Sequence, residues 1–448
     1  MSALTVSRRQ FFTAASGFAA AAGLGVTARA GERPTVRDPR ATDGDEHHEP
    51  KWNERLTITV GPQNADLVGL DDKVIQAAVD YVARLRGGTV KILPGTYTLR
   101  NTIHLPSGIR ILGSGADSII TKIASTTVPL ARDSDWYDQE ITLQDSSSFQ
   151  VGDGICLQGK APFNNSRTVI KRTLVARSGD RFKLDRGLRK NLWLAGKPTV
   201  EALFPLLTSQ GTSDVVMENI TLDGNRENNG HLDGNEGGCI FLQDCSRYTI
   251  RNVTARNYNG DGMSWQVCHD VLVENSHCHD NADLGLHPGS GSQRPVIRNC
   301  RSERNDIGLF WCWGVKFGLA EGNHLDGNRS YGMSIGHNDT DNVMRNNTIV
   351  NSGKVGILFR DDARGQDFWA NRNTVENNRV VNSGPDTGVA IDIQGQTRDL
   401  KITGNELQET REPSERIGIR IAKAAGEVDL ADNTFAGFAV DVEDRRNV

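Results

Sequence analysis

From residue 209 onward the chain repeats itself, and no other feature restricts its fold as much. A glycine followed by alternating residues recurs at Gly238, Gly262, Gly285, Gly308, Gly332, Gly356, Gly388 and Gly418, with spacings of 24, 23, 23, 24, 24, 32 and 30. A second mark, usually asparagine, runs in parallel at Asn219, Asn252, Asn275, Asn299, Gly322, Asn346, Asn377, Gly404 and Asp432. Between the marks apolar and other residues alternate with period two, as in Ile357-Leu358-Phe359 and Val389-Ala390-Ile391-Asp392-Ile393, which is strand periodicity. Short strands joined by Asn- and Gly-rich turns at a period of 20–30 residues predict an all-β parallel solenoid and exclude stacks of long amphipathic helices. An asparagine column in such a stack can bond up and down it, so most of these asparagines need no catalytic explanation.

A solenoid needs its open end covered. Leu70 to Arg86 carries Val74, Ile75, Ala78, Val79, Val82 and Leu85 at helical spacing, which predicts a capping helix. The strand-like run Gly87-Gly88-Thr89-Val90-Lys91-Ile92-Leu93-Pro94-Gly95-Thr96-Tyr97 follows it. Helix, then G-G-T-V-x-x-x-P-G-T-Y, then repeats: over residues 70–448 the chain resembles the right-handed parallel β-helix superfamily that includes pectate lyases. Residues 131–208 lack the repeat marks and read as a small inserted β module. The expected layout is therefore cap and first coils over 55–130, the insert over 131–208, and the main repeats over 209–448.

The first 30 residues have a different character. Ser7-Arg8-Arg9-Gln10-Phe11-Phe12, a small-residue stretch and Ala28-Arg29-Ala30 resemble a twin-arginine export signal. That implies a periplasmic or secreted protein exported already folded. Residues 31–54, polar and acidic with His47 and His48, read as a flexible linker. The formal net charge is −5, and the three arginines of the first 30 residues face no acid there, so the body is more acidic still. That disfavours a nucleic-acid partner, which needs a basic stripe. No run beyond the N-terminus approaches the 18 apolar residues of a membrane span. Seven cysteines are too few for a disulfide scaffold; the pairs Cys245/Cys268 and Cys278/Cys300, one period apart, are expected to stack in the core as free thiols. The oligomeric state is open.

Alternation also says which side chains leave the coil. Met263, Trp265, Leu286, Leu309, Trp311, Met333, Ile335, Ile357 and Phe359 should point inward, whereas Ser264, Gln266, His287, Ser334, Arg360 and Asp392 should point outward. Just past the strands come Asp244, His269, Trp313, Lys316, His337, Asp339 and Asp361. Rungs about 4.8 Å apart would gather His287, Lys316, His337, Asp339, Arg360 and Asp361 on one side over four coils. Cation, imidazole and carboxylate together suit elimination or epimerisation at a uronate. Arg360 or Lys316 would neutralise the sugar carboxylate, and His287 or His337 would take the neighbouring proton. Trp313 is a candidate stacking platform, with Gln266, Asp244 and His269 as further substrate contacts. Leu284-Gly285-Leu286-His287-Pro288-Gly289 is similar to the Y-G-F-D-P-H motif of mannuronan carbon-5 epimerases, with His287 in place of its Asp and Gly289 in place of its His. The rival is hydrolysis. Gly336-His337-Asn338 and Asp361-Asp362 resemble two polygalacturonase motifs, but N-T-D is absent and Arg420-Ile421-Ala422 replaces R-I-K; a pair such as Asp339 and Asp361 would then do the work. A non-catalytic glycan-binding solenoid is the third reading. His337 and its Asn/Asp neighbours also suit turns. No cofactor is required, although Asp339 and Asp341 could hold calcium. The expected partner is an acidic polysaccharide.

Overall fold

The computed structural model describes residues 49–161, 164–412 and 415–446. The twin-arginine segment and the linker up to His48 lie outside the described residues. The end of the expected linker is docked rather than free: Glu49 accepts from Trp52 Nε1 at 3.1 Å and pairs with Arg251 at 2.6 Å.

Among the described residues the strands form three sheets, of 21, 11 and 6 strands. The first two are parallel and make the coils of a β-helix. In the 11-stranded sheet one strand of each coil pairs in register with the next, from Ile103–His104 through Leu207–Gln210, Ile240–Gln243, Met263–Gln266, Leu284–Pro288, Ile307–Phe310, Tyr331–Ile335, Val355–Phe359, Val389–Ile393 and Ile417–Ile421 to Val440–Asp444. Its inward residues, Met263, Trp265, Leu286, Leu309, Trp311, Met333, Ile335, Ile357 and Phe359, are all buried in one continuous core. The marker glycines stand where coils approach most closely. A Cβ on Gly285 would collide with Ser302 Oγ and the Gly308 carbonyl of the next coil.

The second mark does something other than expected. Asn219, Asn252, Asn275, Asn299, Gly322, Asn346, Asn377, Gly404 and Asp432 all adopt positive φ, between 50° and 65°. They are left-handed corners, a conformation that Gly, Asn and Asp tolerate. The amide ladder lies one residue further on. Asn323, Asn347, Asn378, Asn405 and Asn433 are buried or nearly so, and each of the first four donates Nδ2–H to the next Oδ1 at 2.9–3.0 Å.

Helix Asp72–Arg84 covers the first coil, started by Asp71, whose carboxylate accepts from the Lys73 and Val74 N–H groups. It buries Ile75, Ala78, Val79 and Val82. The insert is a six-stranded antiparallel sheet from Thr127–Pro129 to Thr199–Glu201 with its own core around Leu157, Phe182 and Leu184. Leu207 and Thr208, placed in the insert by the sequence, belong to the 11-stranded sheet. All seven cysteines are free and buried.

Candidate functional site

The outward face of the 11-stranded sheet carries one column of side chains in register: His104, Thr208, Phe241, Ser264, His287, Phe310, Ser334, Leu358, Asp392, Arg420 and Glu443. His287 is on it as expected, but it is not open to solvent, being 2% exposed. The segment around Gly234 lies over it: Ser264 Oγ donates to the Gly234 carbonyl at 2.6 Å, and a side chain on Gly234 would strike Asp261. Beneath, His287 Nδ1–H donates to Asp261 Oδ2 at 2.7 Å. Burial alone would push the imidazole pKa down. The Asp261 carboxylate overrides it, with a smaller contribution from Cys312, and raises the value to about 10. Burial meanwhile pushes the Asp261 carboxyl up. A ring this buried and paired with Asp261 is not presented to a polymer, which tells against the base role expected of His287. Its ring meets Phe310 edge-on at 5.4 Å.

Arg360 approaches the other face of this arrangement, its guanidinium 4.3 Å from the Phe310 ring centre. It donates to Ser334 Oγ at 2.8 Å, to the Trp311 carbonyl at 3.0 Å and to Asp362 at 3.1 Å, with Asp339 at 3.6 Å. The ends of three successive strands, Ile307–Phe310, Tyr331–Ile335 and Val355–Phe359, are tied together this way, and Arg360 is not the free cation that was expected. Asp339 is fully buried; it accepts the Val315 and Gly336 N–H groups at 2.9 Å each, and burial pushes its carboxyl up. It braces a turn, and it cannot supply a carboxylate to an open hydrolytic pair. Asp341 is held by Arg372 at 2.8 Å. The expected calcium pair is thus spent on arginines, and among the described residues no three His, Cys, Asp or Glu side chains cluster to hold a metal.

The remaining expected residues separate. Lys316 and His269 stand in another column, His269–Gln293–Lys316–Thr340, beyond the turn. Gln266 is buried and braces the next turn, donating to Ser264 Oγ and accepting from the Ser290 N–H. Asp244 is exposed at a left-handed corner, beside the coil of Phe241. Trp313 and His337 do come together, with their rings 5.5 Å apart. They line an open cleft of about 490 Å³ with Val267, Asn338 and Phe368. Phe368 meets His337 edge-on at 5.3 Å, and the Arg364 guanidinium lies 3.8 Å from the Trp313 ring centre. The Arg364 backbone N–H donates to His337 Nδ1 at 2.9 Å. That fixes the neutral tautomer with its hydrogen on Nε2, a donor rather than a base. Asp361 is exposed at the neighbouring strand end.

Two cleft residues are held against backbone preference. Val267 at φ 53° occupies the corner position that other coils fill with Asp244, Gly291, Gly314 or Asn338, and Trp313, at φ 58°, stands one residue before that corner in its own coil. Left-handed backbone is costly for a bulky or β-branched residue, and such outliers concentrate at functional sites. Val267 and Phe368 are about two-fifths exposed. Arg364, Phe368 and Val267 were missed by sequence reasoning, whereas Asn259-Gly260-Asp261 reads as a turn that sets Asp261 at the border of the groove. For Arg364 and Phe368 the signal was present: the glycine spacing lengthens from 24 to 32 between Gly356 and Gly388, marking the extra loop that carries them.

The family described as right handed beta helix region matches residues 207–366. The fold is a right-handed parallel β-helix. A second family, periplasmic copper-binding protein (NosD), matches residues 296–448. Copper takes clustered thiolate, thioether or imidazole ligands; that stretch offers Cys300, Cys312, His324 and His337, with Met333 and Met344 buried in the core, and among the described residues no three His, Cys, Asp or Glu side chains cluster. No curated protein sequence matches the chain. Among solved structures it is similar to the A-modules of two Azotobacter vinelandii mannuronan C-5 epimerases. AlgE4 is 18% identical over 83% of this chain and 93% of that one, with a TM-score of 0.53. AlgE6 is 15% identical over 83% and 91%, also at 0.53. PfbA, a surface adhesin of Streptococcus pneumoniae, is 14% identical over 83% and 89%, at 0.51. At these identities the likeness concerns the fold.

Proposed function

We propose that the chain is an exported carbohydrate-active enzyme that takes an acidic polysaccharide into the Trp313–His337 cleft and acts by proton abstraction beside a uronate carboxylate. The observation that carries this reading is the cleft wall itself: an indole held out on strained backbone, an imidazole donor beside it, and an arginine stacked 3.8 Å from the indole centre. Aromatic faces suit the apolar faces of sugar rings, and the guanidinium suits a carboxylate. In this reading Trp313 seats a sugar ring and Arg364 neutralises its carboxylate, which makes the neighbouring C–H acidic. Asp361 takes that proton, since His287 is buried beneath the Gly234 segment and the His337 lone pair is engaged by the Arg364 N–H. His337 Nε2–H donates to a sugar oxygen. The electron pair then forms the new double bond as the C4–O bond breaks, or reprotonation from the other side inverts the carbon. Export is supported by Arg8-Arg9 and its small-residue sequel, and by the match to a periplasmic family; among the described residues no helix is long and apolar enough to cross a membrane.

The test is incubation with a panel of uronate polysaccharides, recording the ultraviolet absorbance of unsaturated uronate, reducing ends, and inversion by proton resonance. New absorbance or inversion is expected. Reducing ends without either would mean hydrolysis, and retained affinity without any product would make the chain a binding solenoid; both overturn the reaction proposed.

A further inference from the structure

A better enclosed cavity lies on the same face of the sheet, on the other side of the segment around Gly234. It measures about 240 Å³ and sits where the first three strands of the 11-stranded sheet meet the insert. Its floor is the start of the same outward column, His104, Thr208 and Phe241 in register. Its wall is the insert strand Arg167–Ser178, which contributes Lys171, Arg172 and Thr173. On the side toward the cleft, the segment around Gly234 lies over Ser264, and the Lys171 ammonium donates to the Glu236 carbonyl. The cavity is therefore partitioned from the Trp313 cleft.

Its lining is made of groups that sugars use. The amides of Gln210 and Gln243 are stacked in register on adjacent coils, and neither makes a hydrogen bond to any described residue. Each offers two donors and an acceptor. The Phe241 ring supplies an apolar face, with the Lys171 ammonium 4.2 Å from its centre. The charges do not cancel. Lys171, Arg172 and Arg186 stand against Asp185, at 3.7 Å from Arg186, and Glu236, at 3.3 Å from Lys171, which leaves in excess the positive charge of Arg172, whose guanidinium is fixed by the Lys171, Gly187 and Leu188 carbonyls. The volume is below the roughly 300–1,000 Å³ of sites for drug-sized ligands, so a single ring fits and a chain does not.

We infer that this cavity is a second saccharide site, built for one uronic acid unit and separate from the open cleft. The inference rests on the preceding reading for the class of sugar, and on the cavity alone for place, size and charge. A site of this kind would retain a released terminal unit, or sense it, beside the solenoid that produces it.

Isothermal titration calorimetry of the whole chain with glucuronate, galacturonate, mannuronate and glucose tests it. At least one uronate is expected to bind one-to-one and more tightly than glucose. The double variant Gln210→Ala/Gln243→Ala, whose amides brace nothing, should keep its melting temperature and weaken binding about tenfold or more, whereas Trp313→Ala should leave the affinity within about twofold. Absence of uronate binding, equal binding of glucose, or loss in Trp313→Ala with retention in the amide variant overturns the inference. The two readings fail separately: uronate binding at the amides with every polysaccharide left intact removes the cleft proposal, and polysaccharide turnover without monosaccharide binding removes this one.

Discussion

Two groups of side chains leave the same face of the solenoid, and they meet opposite fates. Around Phe310, His287 with Asp261 and Arg360 with Asp339 and Asp362 form ion pairs closed over by loops. One turn away, Val267, Trp313, His337 and Phe368 border open space, with Arg364 stacked over Trp313. Pointing away from the coil is set by the strand; reaching solvent is set by whatever loop crosses above. In the braced group the charges satisfy one another and hold strand ends in place. In the open group backbone strain is tolerated to keep bulky side chains outside.

The sharpest way to break this comparison is to remove a brace. Asp339→Ala leaves Arg360 short of a countercharge and two buried N–H groups without an acceptor, so a loss of about 3–5 kcal/mol is expected. Ile357→Ala, inward and fully buried, should cost a similar 2–5 kcal/mol or so by lost burial and a cavity. Denaturant melts of both variants measure this. An Asp339→Ala protein as stable as the parent would mean that the carboxylate is held ready for chemistry instead.

Next comes the buried ion pair as a function of pH. The imidazole of His287 is raised from an ordinary 6.5 to about 10. A raised pKa means that the folded state holds this proton more tightly than the unfolded one. The stabilisation is complete below about 6.5 and is lost as pH rises through about 10. Melting temperature should therefore fall from neutral pH toward 10 in the parent and fall less in His287→Gln. Equal slopes would show that His287 is neutral in the folded protein and so available as a base.

The strain in the open group gives a smaller effect. At φ 58° a glycine is at ease and an alanine is not, so Trp313→Gly should be more stable than Trp313→Ala by about 1 kcal/mol. Both should lose polysaccharide affinity alike. If Ala and Gly are equally stable the backbone at Trp313 is not strained, and the argument that function keeps Trp313 there fails.

How much of this was legible in the sequence follows from the same distinction. The glycine period predicted the coils, and alternation predicted the inward set from Met263 to Phe359, because both depend on strand geometry repeated every turn. The capping helix was visible from its 3–4 spacing, and trimmed at each end by the Asp71 cap and the Gly87 corner. The asparagine marks were visible but misread: Asn219 to Asn377 are corners, and the ladder begins at the neighbouring Asn323 column, a one-residue offset that hydrogen bonding decides and composition does not. The candidate site was the least legible. Sequence reasoning brought Trp313 and His337 to one face, yet it could not see that the segment around Gly234 roofs His287, that the turn after Trp313 carries Lys316 into another column, or that the extra loop places Arg364 over the indole. These depend on loops whose paths no periodicity encodes.

The last and smallest effect concerns that arginine. Arg364 is exposed, and its stacking on Trp313 is the kind of contact worth about 0.5–1 kcal/mol at a surface, so Arg364→Gln should leave the fold almost untouched. Its effect should appear in how binding responds to charge and salt. A guanidinium facing a uronate at an exposed site is screened over about 10 Å at 0.1 M ionic strength. The parent should therefore bind an acidic polysaccharide less tightly as salt rises, and Arg364→Gln should bind it more weakly at low salt with a flatter dependence, converging on the parent at high salt. A neutral polysaccharide should not distinguish the two proteins. Arg360→Gln provides the contrast, because its guanidinium is spent on Ser334, Asp339, Asp362 and the Trp311 carbonyl. That variant should lose stability and leave the salt dependence of binding unchanged. The opposite pattern, a salt-sensitive loss from Arg360→Gln and none from Arg364→Gln, would move the carboxylate-binding cation from the open rim back to the braced group.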